Sequence, residues 1–165
     1  MGQLIRKAFV FDFDDTIATT DCRVIVRNGR AGYRALTPAQ YNEHTLGANE
    51  VYDLSEFRKL INPVPKLLIH LTKQVHDEQH DVYILTARGG AAADAIRHFL
   101  SSHGIEAKEI ICVGDSPKET HQAKQEELRR IHENYDRTYF WDDHIENVKA
   151  ADAIGIKAYH IKKED

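Results

Sequence analysis

The densest chemistry in this chain lies in the stretch KAFVFDFDDTIATT, residues 7–20. There an apolar run ends in Asp12, Asp14 and Asp15, with Thr16 behind them. A second acidic pair, Asp142 and Asp143, closes another apolar run, TYFWDD. Bare carboxylates gathered in one place raise one another's pKa values and destabilise a fold. A divalent cation removes that penalty. Oxygen donors without a concentration of Cys or His suit a hard ion, and Mg²⁺ held by a few carboxylates plus a substrate phosphate is the usual arrangement. The same residue types can do covalent work. One Asp can attack phosphorus and form an aspartyl-phosphate. A second carboxyl two residues on can protonate the departing oxygen and then activate water. A metal and nearby donors offset charge on the equatorial oxygens.

Such groups must be held by something rigid. Five apolar runs read as strands: residues 7–12, 81–86, 110–115, 138–143 and 157–161. Fully apolar strands with helices between them predict a parallel sheet covered on both faces. The intervening helices are expected over 63–79, 90–104, 118–135 and 144–155. The first carries Leu67, Leu68, Leu71 and Val75 at helical spacing. The second carries Ala93, Ile96, Phe99 and Leu100, with Gly104 as its C-terminal cap. Leu128 and Ile131 anchor the third, and Gly155 ends the fourth. The pattern is a doubly wound α/β sheet. In such sheets ligands bind beyond the C-terminal strand ends, where Asp12, Asp14, Thr86, Arg88, Asp115, Asp142 and Asp143 would collect.

Residues 17–62 break the alternation. An Asn28-Gly29 pair between extended runs signals a β-hairpin, and 37–62 reads as one or two short helices with loops. The segment is expected to form a flap on one domain spanning residues 1–165, too small for a core of its own.

The motifs resemble those of the haloacid dehalogenase (HAD) superfamily. DFDDT fits its D-x-D-x-T signature, YILT its second motif, and YFWDDHIEN its fourth, in the family's order along residues 7 to 161. The resemblance implies a HAD-like Rossmannoid with a small flap and no large cap domain. It implies Asp12 as nucleophile and Asp14 as general acid/base with its carbonyl on Mg²⁺. Thr16 would orient Asp14 or shape the loop, and Thr86 would bind phosphoryl oxygens. Asp143 would be a metal ligand and Asp142 a direct or water-mediated one. Asn147 stands where many relatives carry Asp. For the family's lone lysine there are two candidates. Lys124 in AKQEELRRI resembles the lysine of polynucleotide-kinase-type phosphatase domains and is preferred. Lys118 is the alternative.

Other signals have plainer explanations. VGDSPKE (113–119) imitates another form of the fourth motif but precedes the lysine helix. It reads as a capping turn, with Pro117 opening that helix. His70, His76 and His80 are ordinary surface histidines, since His70 lies off the face the other two share. His144 is either a helix cap or a neighbour of the acidic pair. Asp15 is expected to face solvent. Arg88 is placed to grip a phosphate bidentately. Arg23, Arg27, Arg30 and Arg34 make the flap locally basic. That basic charge would attract anionic substrates, or it would keep an edge hairpin from pairing.

Bulk properties fit this picture. The chain has 165 residues, 42% hydrophobic, enough for a real core. A net charge of −4 excludes wholesale attraction to nucleic acid. No apolar run approaches 18 residues, MGQLIRK has no signal-peptide core, and MGQLIR lacks the Ser or Thr of a myristoylation signal. Two cysteines form no disulfide framework, so a reducing cytoplasm is expected. The expected activity is Mg²⁺-dependent phosphomonoester hydrolysis. The leading substrate is a nucleotide or polynucleotide phosphate, with no membrane and no obligate protein partner. The alternatives are a receiver-like signalling domain, which would carry its acceptor Asp on the third strand, and a noncatalytic HAD-fold binding protein.

Overall fold

Residues 7–11 bury side chains on both sides of a strand. Ala8 and Val10 enter one apolar layer, while Phe9 and Phe11 join another. This two-sided burial explains why the run is apolar throughout, since alternation appears only where one face meets water. The computed structural model describes residues 4–29 and 32–162. Its elements in chain order are β1 (Lys7–Phe11), β2 (Ala18–Thr19), β3 (Val24–Arg27), β4 (Tyr33–Leu36), α1 (Pro38–Glu43), β5 (Val51–Asp53), β6 (Val64–Pro65), α2 (Leu68–Asp77), β7 (Asp81–Thr86), α3 (Ala93–Ser102), β8 (Glu109–Cys112), α4 (Thr120–His132), β9 (Arg137–Asp142), α5 (Ile145–Asp152) and β10 (Lys157–His160).

The main sheet is parallel, with strand order β10-β9-β1-β7-β8. The chain moves outward from β1 through β7 to β8, then crosses back to β9 and β10. The order therefore reverses between β1 and β9, and the crevice beyond their C-terminal ends is where such sheets bind ligands. Phe11 lies opposite Trp141 of β9 and Ile84 of β7, which brings the residues following β1 and β9 side by side.

Helices cover both faces. Ile69 and Val75 of α2, with Ile96, Phe99 and Leu100 of α3, pack on Phe11, Phe13 and Trp141. Leu128 and Ile131 of α4, with Ala151 of α5, pack on Val10, Leu85 and Phe140. Each fully buried Phe or Leu contributes about 1.5–3 kcal/mol, so these layers hold the strand ends rigidly. Gly104 (φ 72) follows α3 in the left-handed conformation expected of its cap.

Several boundaries differ from the sequence expectation. The first helix begins at Leu68, because Pro63 and Pro65 keep the chain extended. Val64 and Pro65 instead pair with Thr19 and Ala18 as a short antiparallel ribbon at the neck of the flap. The third core strand stops at Cys112, leaving Gly114 and Asp115 in a turn. Helix α4 starts at Thr120, three residues beyond Pro117. Ala92, rather than Ala93, is the buried alanine of the second helical stretch.

The flap is a three-stranded antiparallel sheet of order β4-β3-β5. Strand β5 was not anticipated, since three residues are too few to show a period. Arg27 pairs with Tyr33 and Asn28 N donates to Gly32 O at 3.1 Å, so β3 and β4 are not joined by a two-residue Asn-Gly turn. Arg30 lies outside the described residues. Val24, Val26 and Leu36 form a small apolar cluster beneath Tyr41, Tyr52 and Phe57. Among the described residues no helix is long and apolar enough to cross a membrane.

Candidate active site

Asp12 extends the β1 ladder by one bond, its N–H donating to Trp141 O at 2.9 Å. The chain then turns sharply. Phe13 is buried in the core and its carbonyl accepts from the N–H groups of Thr16, Ile17 and Ala18 at 3.0–3.3 Å. Asp15 takes a left-handed conformation (φ 62), which Asp tolerates better than most residues. Lys66, just past β6, donates from Nζ to Asp15 O at 2.8 Å. Thr16 donates its hydroxyl to Asp12 Oδ2 at 3.0 Å. It therefore orients Asp12, where Asp14 had been the expected partner.

Helix α4 supplies the cation. Lys124 is only 1% exposed, and it occupies the helix face that also buries Ala123, Leu128 and Ile131. Its Nζ donates to Asp12 Oδ1 at 3.0 Å and to Asp142 Oδ2 at 2.8 Å. Lys118 instead pairs with Glu126 at the surface. Asp142 Oδ2 also accepts from Asn147 Nδ2 at 3.0 Å, and Oδ1 accepts from His144 N at 2.8 Å. Asn147 thus has a definite role as a donor to Asp142. The His144 backbone caps the same carboxylate, while its imidazole lies 3.8 Å from Asp143 Oδ2.

One carboxylate oxygen from each of Asp12, Asp142 and Asp143 lies within 4.8 Å of the other two. Among the described residues Asp143 Oδ1 is buried without a hydrogen-bond partner. A buried anionic oxygen left unpaired is strongly unfavourable, and an all-oxygen donor set matches a hard divalent cation. Mg²⁺ therefore fits these residues. Burial pushes the Asp12 carboxyl well above its ordinary value; Lys124 opposes this, while Asp142 and Asp143 add to it. Burial likewise raises Asp143. Lys124 is held above its ordinary value, because Asp12 and Asp142 outweigh the desolvation that would lower it.

Arg88 was expected to face phosphate. In the structure Arg88 is 4% exposed and its guanidinium is engaged on every side. Nε and Nη2 donate to the two oxygens of Asp14, both at 2.8 Å. Nη1 donates to the carbonyls of Phe57 and Lys59 at 2.9 and 2.8 Å, and Nη2 also reaches the Thr20 hydroxyl at 3.3 Å. No N–H is left for a substrate. Thr86 is fully buried at the end of β7, with its hydroxyl accepting from Arg88 N at 3.1 Å; its own O–H remains available to donate.

The VGD turn secures this neighbourhood. Gly114 N donates to Arg88 O at 2.9 Å, and a Cβ on Gly114 would stand 2.5 Å from Ala87 O. Asp115 Oδ2 accepts from Gly90 N at 2.8 Å, so Asp115 caps the 90–92 turn and does not open α4. The receiver alternative needed an acceptor Asp here. The flap is also less basic than residues 21–36 alone indicate. Arg27 pairs with Asp53 at 2.8 Å, and Arg34 reaches Glu50 at 3.5 Å. His76 and His80 pair with Asp77 and Glu78, and no histidine joins a three-ligand cluster among the described residues. Two contacts had no sequence signal, because each ends on a main-chain carbonyl: Lys66 on Asp15, and His160 Nε2 on Asp143 O at 2.9 Å.

No family model matches the chain, and no curated protein matches its sequence. Solved structures do match its shape. A chain of a Pnkp1/Rnl/Hen1 complex superposes with a TM-score of 0.60 at 19% identity, over 98% of this chain and 47% of that one. A second structure, of the Pnkp1/Rnl/Hen1 RNA repair complex, gives 0.58 at 16% identity, over 98% and 44%. A HAD family enzyme from Bacteroides thetaiotaomicron, solved with magnesium and inorganic phosphate, gives 0.53 at 14% identity, over 97% and 96%. This chain thus spans less than half the length of the repair-complex chains and nearly all of the Bacteroides enzyme. The resemblance to HAD proteins holds at the level of the fold: a five-stranded parallel Rossmannoid with helices on both faces and no large cap.

Proposed function

We propose that the chain is a Mg²⁺-dependent phosphomonoesterase working through an aspartyl-phosphate on Asp12. The observation that carries this is the convergence of Asp12, Asp143 and Lys124 at the β1/β9 switch point, with Asp143 Oδ1 buried and unpartnered. Asp12, Asp143 and the Asp14 carbonyl would hold the ion, with Asp142 as a direct or water-mediated ligand. Bound there, Mg²⁺ supplies positive charge against the phosphoryl oxygens. The Asp12 carboxylate attacks phosphorus as the bond to the leaving oxygen breaks, and Asp14 gives that oxygen a proton. Asp14 then takes a proton from water, whose oxygen attacks phosphorus and frees Asp12 with release of phosphate. Lys124 neutralises Asp12 and Asp142 throughout, and the Thr86 hydroxyl donates to the transferred group.

A nucleotide or a nucleic-acid end is the leading substrate class, in a cytoplasmic setting. The small flap leaves room for a bulky leaving group, and two structural neighbours belong to an RNA repair complex. A panel of nucleotides, oligonucleotide phosphates, sugar phosphates and phosphopeptides, assayed with and without Mg²⁺, tests both statements. Metal-dependent phosphate release that Asp12→Asn abolishes is expected. Release that survives in Asp12→Asn would refute the mechanism.

A further inference from the structure

Given the phosphomonoesterase reading above, we infer that Arg88 is a positioning residue that latches the flap to Asp14. The guanidinium stands between two parts of the chain. On one side its planar fork meets both Asp14 oxygens at 2.8 Å. On the other its Nη1 meets two carbonyls of the flap, Phe57 O at 2.9 Å and Lys59 O at 2.8 Å. The Phe57 ring lies 5.1 Å from the guanidinium carbon. Cys22 completes the flap side, its buried thiol reaching Glu56 O and Lys59 O at 3.3 and 3.4 Å. The carbonyls of residues 56, 57 and 59 thus all turn inward at the end of the 55–58 helical turn. A cation there meets the negative end of that turn.

Only arginine can fill this position. Its five N–H groups lie in one plane at fixed angles, whereas a lysine offers three donors from a single atom and cannot span an acid and two carbonyls. Arg88 itself is fixed from behind by Thr86, whose hydroxyl accepts from its N–H, and by Gly114, whose N–H donates to its carbonyl. The fork thus sets where the Asp14 carboxyl points. Each of its oxygens keeps a second lone pair, away from Arg88, for the proton it gives or takes. The same fork docks the flap over Asp14, so the acid's orientation and the flap's seat depend on one side chain.

The test uses two substrates and one flap measurement. Phosphate leaves readily from p-nitrophenyl phosphate without a proton donor, whereas an alkyl phosphate requires one. If Arg88 orients Asp14, Arg88→Lys lowers kcat/KM on the alkyl phosphate about 10-fold or more beyond any loss on p-nitrophenyl phosphate, within the range of general acid catalysis. Equal losses on both substrates would overturn the positioning role, since a general structural defect scales both. Amide hydrogen exchange across residues 55–61 reads the latch itself. Asp14→Asn keeps Arg88 but weakens its anchor, so exchange there should quicken while Asp12→Asn leaves it unchanged. Unchanged protection in Asp14→Asn defeats the latch, even if Arg88→Lys fails to fold. A wild-type protein inactive on both phosphates would defeat the functional reading alone, and the exchange experiment would still decide the latch.

Discussion

Lys124 and Asp142 face each other across 2.8 Å with side chains 1% and 0% exposed. The lysine comes from the middle of a helix and the aspartate from the end of a strand. Their contact is made where α4 crosses the sheet at the β1/β9 boundary. Because Asp142 also accepts from Asn147 and from the His144 backbone, it behaves as the hub of the buried network. Asp143, one residue on, retains an oxygen with no partner. Two adjacent acids of the same type thus have different work to do.

Breaking a buried ion pair by removing one partner is strongly destabilising. Lys124→Met is expected to lower unfolding free energy by about 3–5 kcal/mol and to remove activity. Lys118→Ala, at the surface, should change stability by no more than about 0.5 kcal/mol and leave turnover nearly intact. Urea unfolding and phosphatase assays of the two variants distinguish the two lysines. Equal effects would remove Lys124 from its special place.

Asp12 carries a pH signature. Its carboxyl is raised by burial, so the folded state holds this proton more tightly than the unfolded chain does. Stability from that difference is complete below the ordinary carboxylate value near 4 and is lost as pH climbs through the raised value. Asp12→Asn removes the loss, and Lys124 keeps Asp142 as its partner. Without Mg²⁺ the variant should therefore melt higher than wild type at pH 7, with the gain shrinking toward pH 4. If Asp12 is the covalent nucleophile proposed, its kcat should fall on the order of 10⁴-fold or more. A gain that grows on acidification would have the wrong sign.

Asp143 and Asp142 should separate in a metal titration. Asp143→Asn is expected to abolish Mg²⁺-dependent thermal stabilisation within the accessible range. Asp142→Asn, acting mainly through Lys124 and Asn147, should weaken it about 10–100-fold. Melting temperature against Mg²⁺ concentration reads both. Unchanged metal response in Asp143→Asn would dissociate this residue from the ion.

Gly114 is a packing requirement. A Cβ there would sit 2.5 Å from Ala87 O and 2.6 Å from the Arg88 carbonyl carbon and Gly89 N. These are backbone atoms that cannot step aside without moving the loop that carries Arg88. Gly114→Ala is expected to cost about 1–3 kcal/mol and to reduce activity through that loop. A variant with wild-type melting temperature and turnover would contradict this packing.

The strand ends were legible because burial on both sheet faces leaves uninterrupted apolar runs, and the first polar residue after each run marks the ligand edge. Asp12, Asp142 and Asp143 follow from that rule. Lys124 was preferred over Lys118 only through its resemblance to the lysine of polynucleotide-kinase-type phosphatase domains; the buried helix face it shares with Ala123, Leu128 and Ile131 shows in the structure. Arg88 was seen, but its partners were not, since two of its contacts are main-chain carbonyls at residues 57 and 59, which carry no residue-type signature. The proline segment 63–65 hid a strand for a related reason. Its partner, Ala18–Thr19, is two residues long and lies over forty positions away.

The flap's apolar cluster of Val24, Val26 and Leu36 shares no member with either layer of the main core. Reach and reactivity are thereby inscribed on separate parts of the molecule. The interval between Asp12 and Asp143 is inherited from the lateral spacing of neighbouring strands, close to 4.8 Å in any sheet. A lineage could lengthen, shorten or replace residues 23–56 to admit a different ligand without retuning the acidic cluster, provided that Arg88 still found two carbonyls to hold.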